Sequence, residues 1–346
     1  MRWQSHLNLS KKQRLSLSSS DDLLIQHCCD IAWEAQTLAL PNPSVGAIIT
    51  RENGEILSKG VHSLAGTPHA EVIAIKQGYY ALTQDSRILN LESSLELHDF
   101  LLSNHNGIFK NCSLYVSLEP CNHYGKTPPC ANLIKELGFA KVIIGTKDSH
   151  TLASGGMQTL QEAGIHTSLS QIEQEAKKLL LPFEILRKKG RFVLFKIAMR
   201  LDGSYVSGQI SAESSRIFTH NQRSVCDYLC ISGATLRSDN PTLNARYALP
   251  PYDKHKQPKL CLFSTRESNP KYHIFRHAQE IESLKGFVVV EGGLNLLYAL
   301  REYIDMLLIH KAFFCIDSHL TQQSKAMDFE LLHTMNLGKD LGLWLH

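Results

Sequence analysis

Apolar residues recur at helical spacing between Asp22 and Leu40, where Leu23, Leu24, Ile25, Cys28, Ile31, Ala32 and Ala35 share one face. The spacing predicts a helix that ends at Pro41-Asn42-Pro43, because proline cannot continue the hydrogen-bond ladder. Val45–Thr50 and Ile56–Val61 read as strands joined through Asn53-Gly54, a strong hairpin signal. Thr67 suits an N-cap and Pro68 a first helical position, so His69 and Glu71 are expected in a first helical turn. Residues 78–110 are polar and poorly patterned, with one helix expected near Leu95–Leu102. Leu114, Val116 and Leu118 alternate with Ser113, Tyr115 and Ser117, which predicts a strand running into Glu119-Pro120-Cys121. Ala131–Leu137 reads as a helix ended by Gly138, Val142–Gly145 as a strand, and Met157–Ala163 as a helix ended by Gly164.

Gln171–Leu181 reads as a connecting helix stopped by Pro182, and Arg187-Lys188-Lys189-Gly190-Arg191 as a solvated basic hinge. A new strand is expected over Phe192–Ala198, opening a second α/β region that runs to the end. Strands alternating with helices indicate sheets covered by helices. A chain of 346 residues fits two domains. The expected division is a tail over 1–20, a first domain over 21–186 and a second over 191–346. The tail is basic and Ser-rich, has no acid before Asp21 and no continuous apolar core, and is set apart from the fold.

With 36 Lys and Arg against 33 Asp and Glu, the net charge of +3 is too balanced for a protein that coats nucleic acid or an anionic membrane. No apolar stretch is long enough for a membrane-spanning helix. Nine irregularly spaced cysteines read as reduced thiols, so a cytoplasmic location is expected. Most of them are expected to pack as small apolar residues.

The chemistry concentrates in His69-Ala70-Glu71 and in Pro120-Cys121 with Cys130. One His and two Cys supply three ligands for zinc and leave a fourth tetrahedral position open, the catalytic arrangement. His123 would be the fourth ligand if the site were closed and structural. Zinc lowers the pKa of bound water to about 7, and a carboxylate two residues after the His is suited to carry its proton to a leaving amine. Both segments enter helices, whose N-termini favour thiolate. The combined pattern is a specific signal for a zinc nucleobase deaminase.

The stretch Leu118-Glu119-Pro120-Cys121-Asn122-His123-Tyr124-Gly125-Lys126-Thr127-Pro128-Pro129-Cys130 resembles the bifunctional riboflavin-biosynthesis deaminase/reductase family. Ordinary cytidine and tRNA-adenosine deaminases have two residues between the paired cysteines, whereas this chain has eight, 122–129. Pro41-Asn42-Pro43-Ser44-Val45-Gly46 and His62…Gly66-Thr67-Pro68-His69 are also similar to that family's motifs. The resemblance implies a cytidine-deaminase-like three-layer α/β/α domain followed by a dihydrofolate-reductase-like α/β domain. It implies zinc on His69, Cys121 and Cys130 and proton transfer by Glu71. It places the substrate, a ribosylaminopyrimidine 5′-phosphate, against Asn42, His62, His123, Lys126 and Asp148. His150 departs from the family's small polar residue, and the 78–110 segment is longer than the family's, as a surface elaboration would be.

In the second half no Gly-x-Gly-x-x-Gly follows a strand, which argues against a Rossmann domain. Instead Phe287-Val288-Val289-Val290 runs into Glu291-Gly292-Gly293-Leu294 and a helical Asn295–Leu300, a natural phosphate cradle. Lys196-Ile197-Ala198-Met199-Arg200-Leu201-Asp202-Gly203 is similar to the opening of the family's reductase domain. Ser232-Gly233-Ala234-Thr235…Ser238-Asp239-Asn240-Pro241-Thr242-Leu243-Asn244-Ala245-Arg246 resembles its central motif. The resemblance implies NADPH at Ala198, Thr235, Asp239, Gly292 and Gly293. It implies substrate at Ser215, Arg223, Leu243, Arg246 and Glu291, and hydride transfer that opens a ribose to a ribityl chain. The chain departs from the pattern at Arg200 and Ile217, in a shortened segment between Arg223 and Ser232, and in lacking a recognisable strand over Leu307–Cys315. These departures leave open a deaminase with a decayed or repurposed second domain. The resemblance also implies a homo-oligomer.

Overall fold

Strand β1 (Val45–Thr50) is buried at every position, which requires cover on both faces of its sheet. It pairs antiparallel with β2 (Ile56–His62) and with β3 (Ser113–Leu118). Strands β4 (Lys141–Thr146) and β5 (His166–Leu169) continue in parallel, giving the order β2-β1-β3-β4-β5. One face is covered by α1 (Ser20–Trp33), whose Ile25, Cys28 and Cys29 pack on Ile48, Tyr115 and Ile143. Ser19 caps α1 by accepting from the Asp22 N–H, with Asp21 and Asp22 in the positive first turn. Helices α2 (Ala70–Thr83), α3 (Ser94–Asn104), α4 (Cys130–Leu137) and α5 (Gly156–Glu162) complete this unit. The molecule is described here by a computed structural model covering residues 19–125, 127–149, 154–205, 208–315 and 327–346. The predicted tail falls almost wholly outside them.

The chain divides into two compact units, Met1–Gln36 with Ser44–Leu179 and Thr37–Pro43 with Leu180–His346. Helix α6 (Glu173–Lys189) carries the chain from one to the other. Among the described residues the second unit holds one eight-stranded sheet. At its centre β6 (Arg191–Arg200) runs parallel to β10 (Gly286–Glu291) and β11 (Met306–Ala312). Strands β7 (Tyr228–Ser232), β8 (Lys259–Phe263) and β9 (His273–Phe275) extend the parallel part. A hairpin of β12 (Leu331–Leu337) and β13 (Asp340–Leu345) adds an antiparallel edge. Val193, Phe195, Ile197, Val288, Val290 and Leu307 form the core, covered by Leu296, Leu297 and Leu300 of α9 (Leu294–Leu300). Helix α7 (Glu213–Val225) is anchored by Asp340, which accepts from the Ala212 N–H at 2.7 Å and the Ser215 hydroxyl at 2.6 Å. Helix α8 (Gly233–Asp239) follows β7.

Several sequence expectations change. The first helix stops at Trp33 rather than Leu40, and residues 34–41 form turns with Thr37 at φ 69°, which no helix accommodates. Helix α2 begins after an extended His69, two residues beyond the expected cap. Pro182 does not stop α6, which runs on to Lys189. The basic run is therefore mostly that helix's last turn, where cations suit the dipole, and Gly190 at φ 68° ends it. A strand does follow Asp305, whose carboxylate accepts from the Val193 N–H at 2.8 Å. Within 78–110, Ile88, Leu97, His98, Leu101 and Phe109 are buried, so this segment is part of the fold and not a surface elaboration. All nine cysteines are free. Among the described residues no helix is long and apolar enough to cross a membrane.

His310 of β11 is buried, and both ring nitrogens lack hydrogen-bond partners among the described residues. Burial, then the nearby Lys196, hold it well below the ordinary histidine range. It is neutral when folded, so the unfolded chain binds more protons as pH falls below the unfolded histidine value of about 6.5. Stability should fall on acidification by up to about 1.4 kcal/mol per pH unit for this group. His310→Phe should flatten that slope, as read from urea unfolding midpoints between pH 7 and 5.

Candidate metal centre and second cavity

Two close backbone approaches set the first site. A side chain at Gly60 would strike the Ala70 carbonyl, so its absence lets the start of α2 lie against β2. A side chain at Gly156 would strike the Pro120 carbonyl, so its absence seats the start of α5 beside the Pro120-Cys121 turn. Glu119, buried at the end of β3, accepts from the backbone N–H groups of Asp148 (3.1 Å), Gly155 (3.2 Å) and Met157 (2.9 Å). One carboxylate thus ties the loop after β4 and the start of α5 to the strand that delivers Cys121.

His69, Cys121 and Cys130 converge there, with ligand atoms within 4.8 Å of one another. His69 Nδ1 lies 3.6 Å from Cys121 Sγ and 3.4 Å from Cys130 Sγ, and the Cys130 N–H points at Cys121 Sγ from 3.4 Å. The Cys130 thiol and then His69 hold Cys121 well below the ordinary thiol range against burial. Burial disfavours a charged His69, yet Cys121 and Glu71 carry it above the ordinary value. Burial pushes Glu71 up to about 6. One imidazole nitrogen and two sulfurs at this spacing fit zinc, whose structural and catalytic sites use these donors.

His62 is buried beside the cluster, its ring edge-on to His69 with centroids 5.3 Å apart. Its Nδ1 donates to the Pro68 carbonyl at 3.1 Å, which leaves Nε2 as an acceptor. Burial, then His69, lower its pKa to about 4, so the ring is neutral. His123 is exposed and outside the cluster, and Asp148 is half-buried. Asn42 falls in the Thr37–Pro43 segment that groups with the second unit. Lys126 and His150 lie outside the described residues.

The second unit holds a cavity of about 820 Å³. Its lining includes Ala198, Arg223, Thr235, Asp239, Leu243, Glu291, Gly292 and Gly293, eight of the ten residues expected there from sequence. Ser215 and Arg246 are not part of the lining. Ser215 is buried on Asp340, and Arg246 is exposed, its guanidinium 4.8 Å from the Tyr247 ring centroid. Arg223 clasps Glu291 through two hydrogen bonds of 2.7 Å. Burial works against the Glu291 charge, but Arg223 and Lys196 hold its carboxyl at about 2. Lys196, unassigned from sequence, also lines the cavity, and desolvation lowers its ammonium pKa. Its sequence signal is a lysine inside the otherwise apolar run Phe192–Met199. Arg200 is not in the lining; it is buried on Ser204 with its guanidinium over Phe314.

A zinc-binding deaminase-type unit joined to a second α/β unit is the class that this fold and site define. Residues 18–146 match the family model described as the cytidine and deoxycytidylate deaminase zinc-binding region. The Synechocystis riboflavin biosynthesis protein RibD is 34% identical over 231 residues, 65% of this chain and 55% of the relative. The Haemophilus influenzae RibD is 33% identical over 67% of this chain and 57% of its own length. The Mycobacterium tuberculosis RibD is 27% identical over 87% and 80%. The chain spans a little over half the length of the curated relatives it matches first. The Thermotoga maritima diaminohydroxyphosphoribosylaminopyrimidine deaminase/5-amino-6-(5-phosphoribosylamino)uracil reductase superposes with a TM-score of 0.61 at 23% identity, covering 94% of this chain and 98% of that one. The chain is similar to the bifunctional riboflavin-biosynthesis proteins, with a cytidine-deaminase-type zinc-binding region in its first unit and an α/β fold in its second.

Hydrogen bonds to a buried carboxylate are each worth about 1.5–3 kcal/mol, so Glu119→Gln, which turns an amide donor toward backbone donors, should destabilise the first unit by roughly that much. Urea unfolding of zinc-loaded wild type and variant checks it.

Proposed function

We propose that the first unit deaminates a ribosylaminopyrimidine 5′-phosphate and that the second reduces the product's ribosyl group to ribityl with NADPH. The observation that carries the reading is the His69, Cys121 and Cys130 cluster with Glu71 buried against it, in a chain related to the riboflavin-biosynthesis proteins. Zinc held by those three residues supplies Lewis-acid activation of water at neutral pH. Glu71 is not needed as a ligand; its carboxylate takes a proton from the attacking water and returns it to the departing amine. His62, neutral and held in orientation by its Pro68 contact, orients the pyrimidine edge. Asn42, His123, Lys126 and Asp148 are assigned to substrate by their motif positions. Lys126 suits its phosphate.

In the second unit, NADPH is assigned to Ala198, Thr235, Asp239 and the Gly292-Gly293 turn. The unblocked backbone there allows close approach of a phosphate. Arg223 is held by Glu291, so the two act as one positioned pair facing the substrate. Leu243 gives an apolar wall, and Ser215 and Arg246 are assigned by motif alone. The cytoplasm and a homo-oligomeric state complete the proposal.

Two measurements test the reading. Glu71→Gln should retain one zinc per chain yet lose deamination by a factor of about 10² or more; full activity in that variant removes Glu71 from the mechanism. Wild type should oxidise NADPH in the presence of the deaminated ribosylaminouracil phosphate, followed by loss of NADPH absorbance. Deamination without such oxidation removes the reductase half.

A further inference from the structure

Helix α3 sits between α2 and α4 in the fold, packing against both. Those two helices carry His69 with Glu71, and Cys130, at their starts. Helix α3 is firmly set. Ser93 and Glu96 form a capping box, Leu97 and Leu101 are buried, and Phe100 meets Tyr79 of α2 edge-on with centroids 5.5 Å apart. His98 is on its buried side, 4% exposed, and its Nε2 has no hydrogen-bond partner among the described residues. Buried polar atoms are matched as a rule, so an unmatched one calls for a partner that the described residues do not supply. Cys121 and His69 are the site groups whose charges act on this ring, after the effect of burial itself.

We propose that His98 is a positioning residue of the metal centre: its Nε2 is completed by a water that bridges to the His69 and Cys121 side of the ligand set. His98 is not itself a ligand, because it does not join the group whose donor atoms lie within 4.8 Å of one another. His69 turns Nδ1 toward the sulfurs, which leaves Nε2 to an outer partner. Metal-binding histidines are oriented by such partners, whose loss costs about 10–100-fold in metal affinity or activity. The segment 78–110 thereby contributes to the site as well as to the core. The role in zinc binding stands on the cluster alone; its consequence for turnover rests on the deaminase reading.

The test is competition between the full-length protein and a chromophoric chelator for zinc. His98→Phe fills the same space without the unmatched nitrogen, so it should fold with an unchanged or higher unfolding midpoint. It should nevertheless bind zinc about 10–100-fold more weakly, and excess zinc should restore turnover. Wild-type zinc affinity in His98→Phe overturns the proposal. If His98→Phe does not fold, His98→Gln and His98→Asn decide. The Gln amide reaches the Nε2 position and the Asn amide does not, so wild-type affinity in Gln with loss in Asn supports the role, and equal affinities overturn it. Absence of deamination by the wild type would sink the functional reading while leaving the affinity comparison intact.

Discussion

The Glu119 carboxylate, with the Asp148, Gly155 and Met157 N–H groups on it, is the constraint on which the first site rests. A buried carboxylate is tolerated only when its oxygens are matched, and here backbone groups from two segments beyond β4 do so. The consequence is geometric. Cys121 lies two residues past Glu119, and the Cys121 carbonyl accepts from the Ala131 N–H, which ties the start of α4 to the same turn. Cys130 therefore reaches Cys121 despite the eight residues that separate them in sequence.

The second unit solves a related problem with side chains of opposite charge. Glu291 ends the parallel strand β10 beside the glycine turn, where a carboxylate would repel a phosphate. Arg223 neutralises it bidentately and Lys196 adds a second cation. Removing either partner of such a pair strands the other and costs more than the pair contributes. The placement of Arg223 depends in turn on α7, whose start is fixed by Asp340 in the last hairpin. The carboxy-terminal strands are thus coupled to the cavity through one helix. This gives Ser215 a structural occupation, as a donor to Asp340, where its motif position alone suggested contact with substrate.

Much of this was legible in the residues. The His-x-Glu and Pro-Cys segments, the long inter-cysteine loop and the strand–Gly-Gly–helix turn are local patterns with local causes, and they led directly to the two sites. What stayed hidden depends on distant partners. Pro182 reads as a stop, yet tertiary packing carries α6 through it. Residues 78–110 look polar, because their buried apolar side chains, Tyr79, Ile88, Leu97, Leu101 and Phe109, are widely spaced and interrupted by a 3₁₀ turn at Ser86–Asn90. His98 gives no signal in sequence, since its meaning comes from helices that start thirty residues to either side. Lys196 was visible as a charge inside an apolar strand.

The protonation of the first cluster argues for what it is built to hold. Cys121 and Glu71 bring two potential negative charges into a buried space. Among the described residues the answer is protons: His69 is driven toward its charged form and Cys130 is kept as a thiol against Cys121. Among the described residues, no arginine or lysine is a leading influence on these groups. In the second cavity the same charge problem is met by Arg223 and Lys196, and among the described residues no metal-type cluster forms there. A nitrogen and two sulfurs gathered this closely are a donor set that a divalent metal completes, and a borderline-soft ion such as zinc is the one those atoms favour.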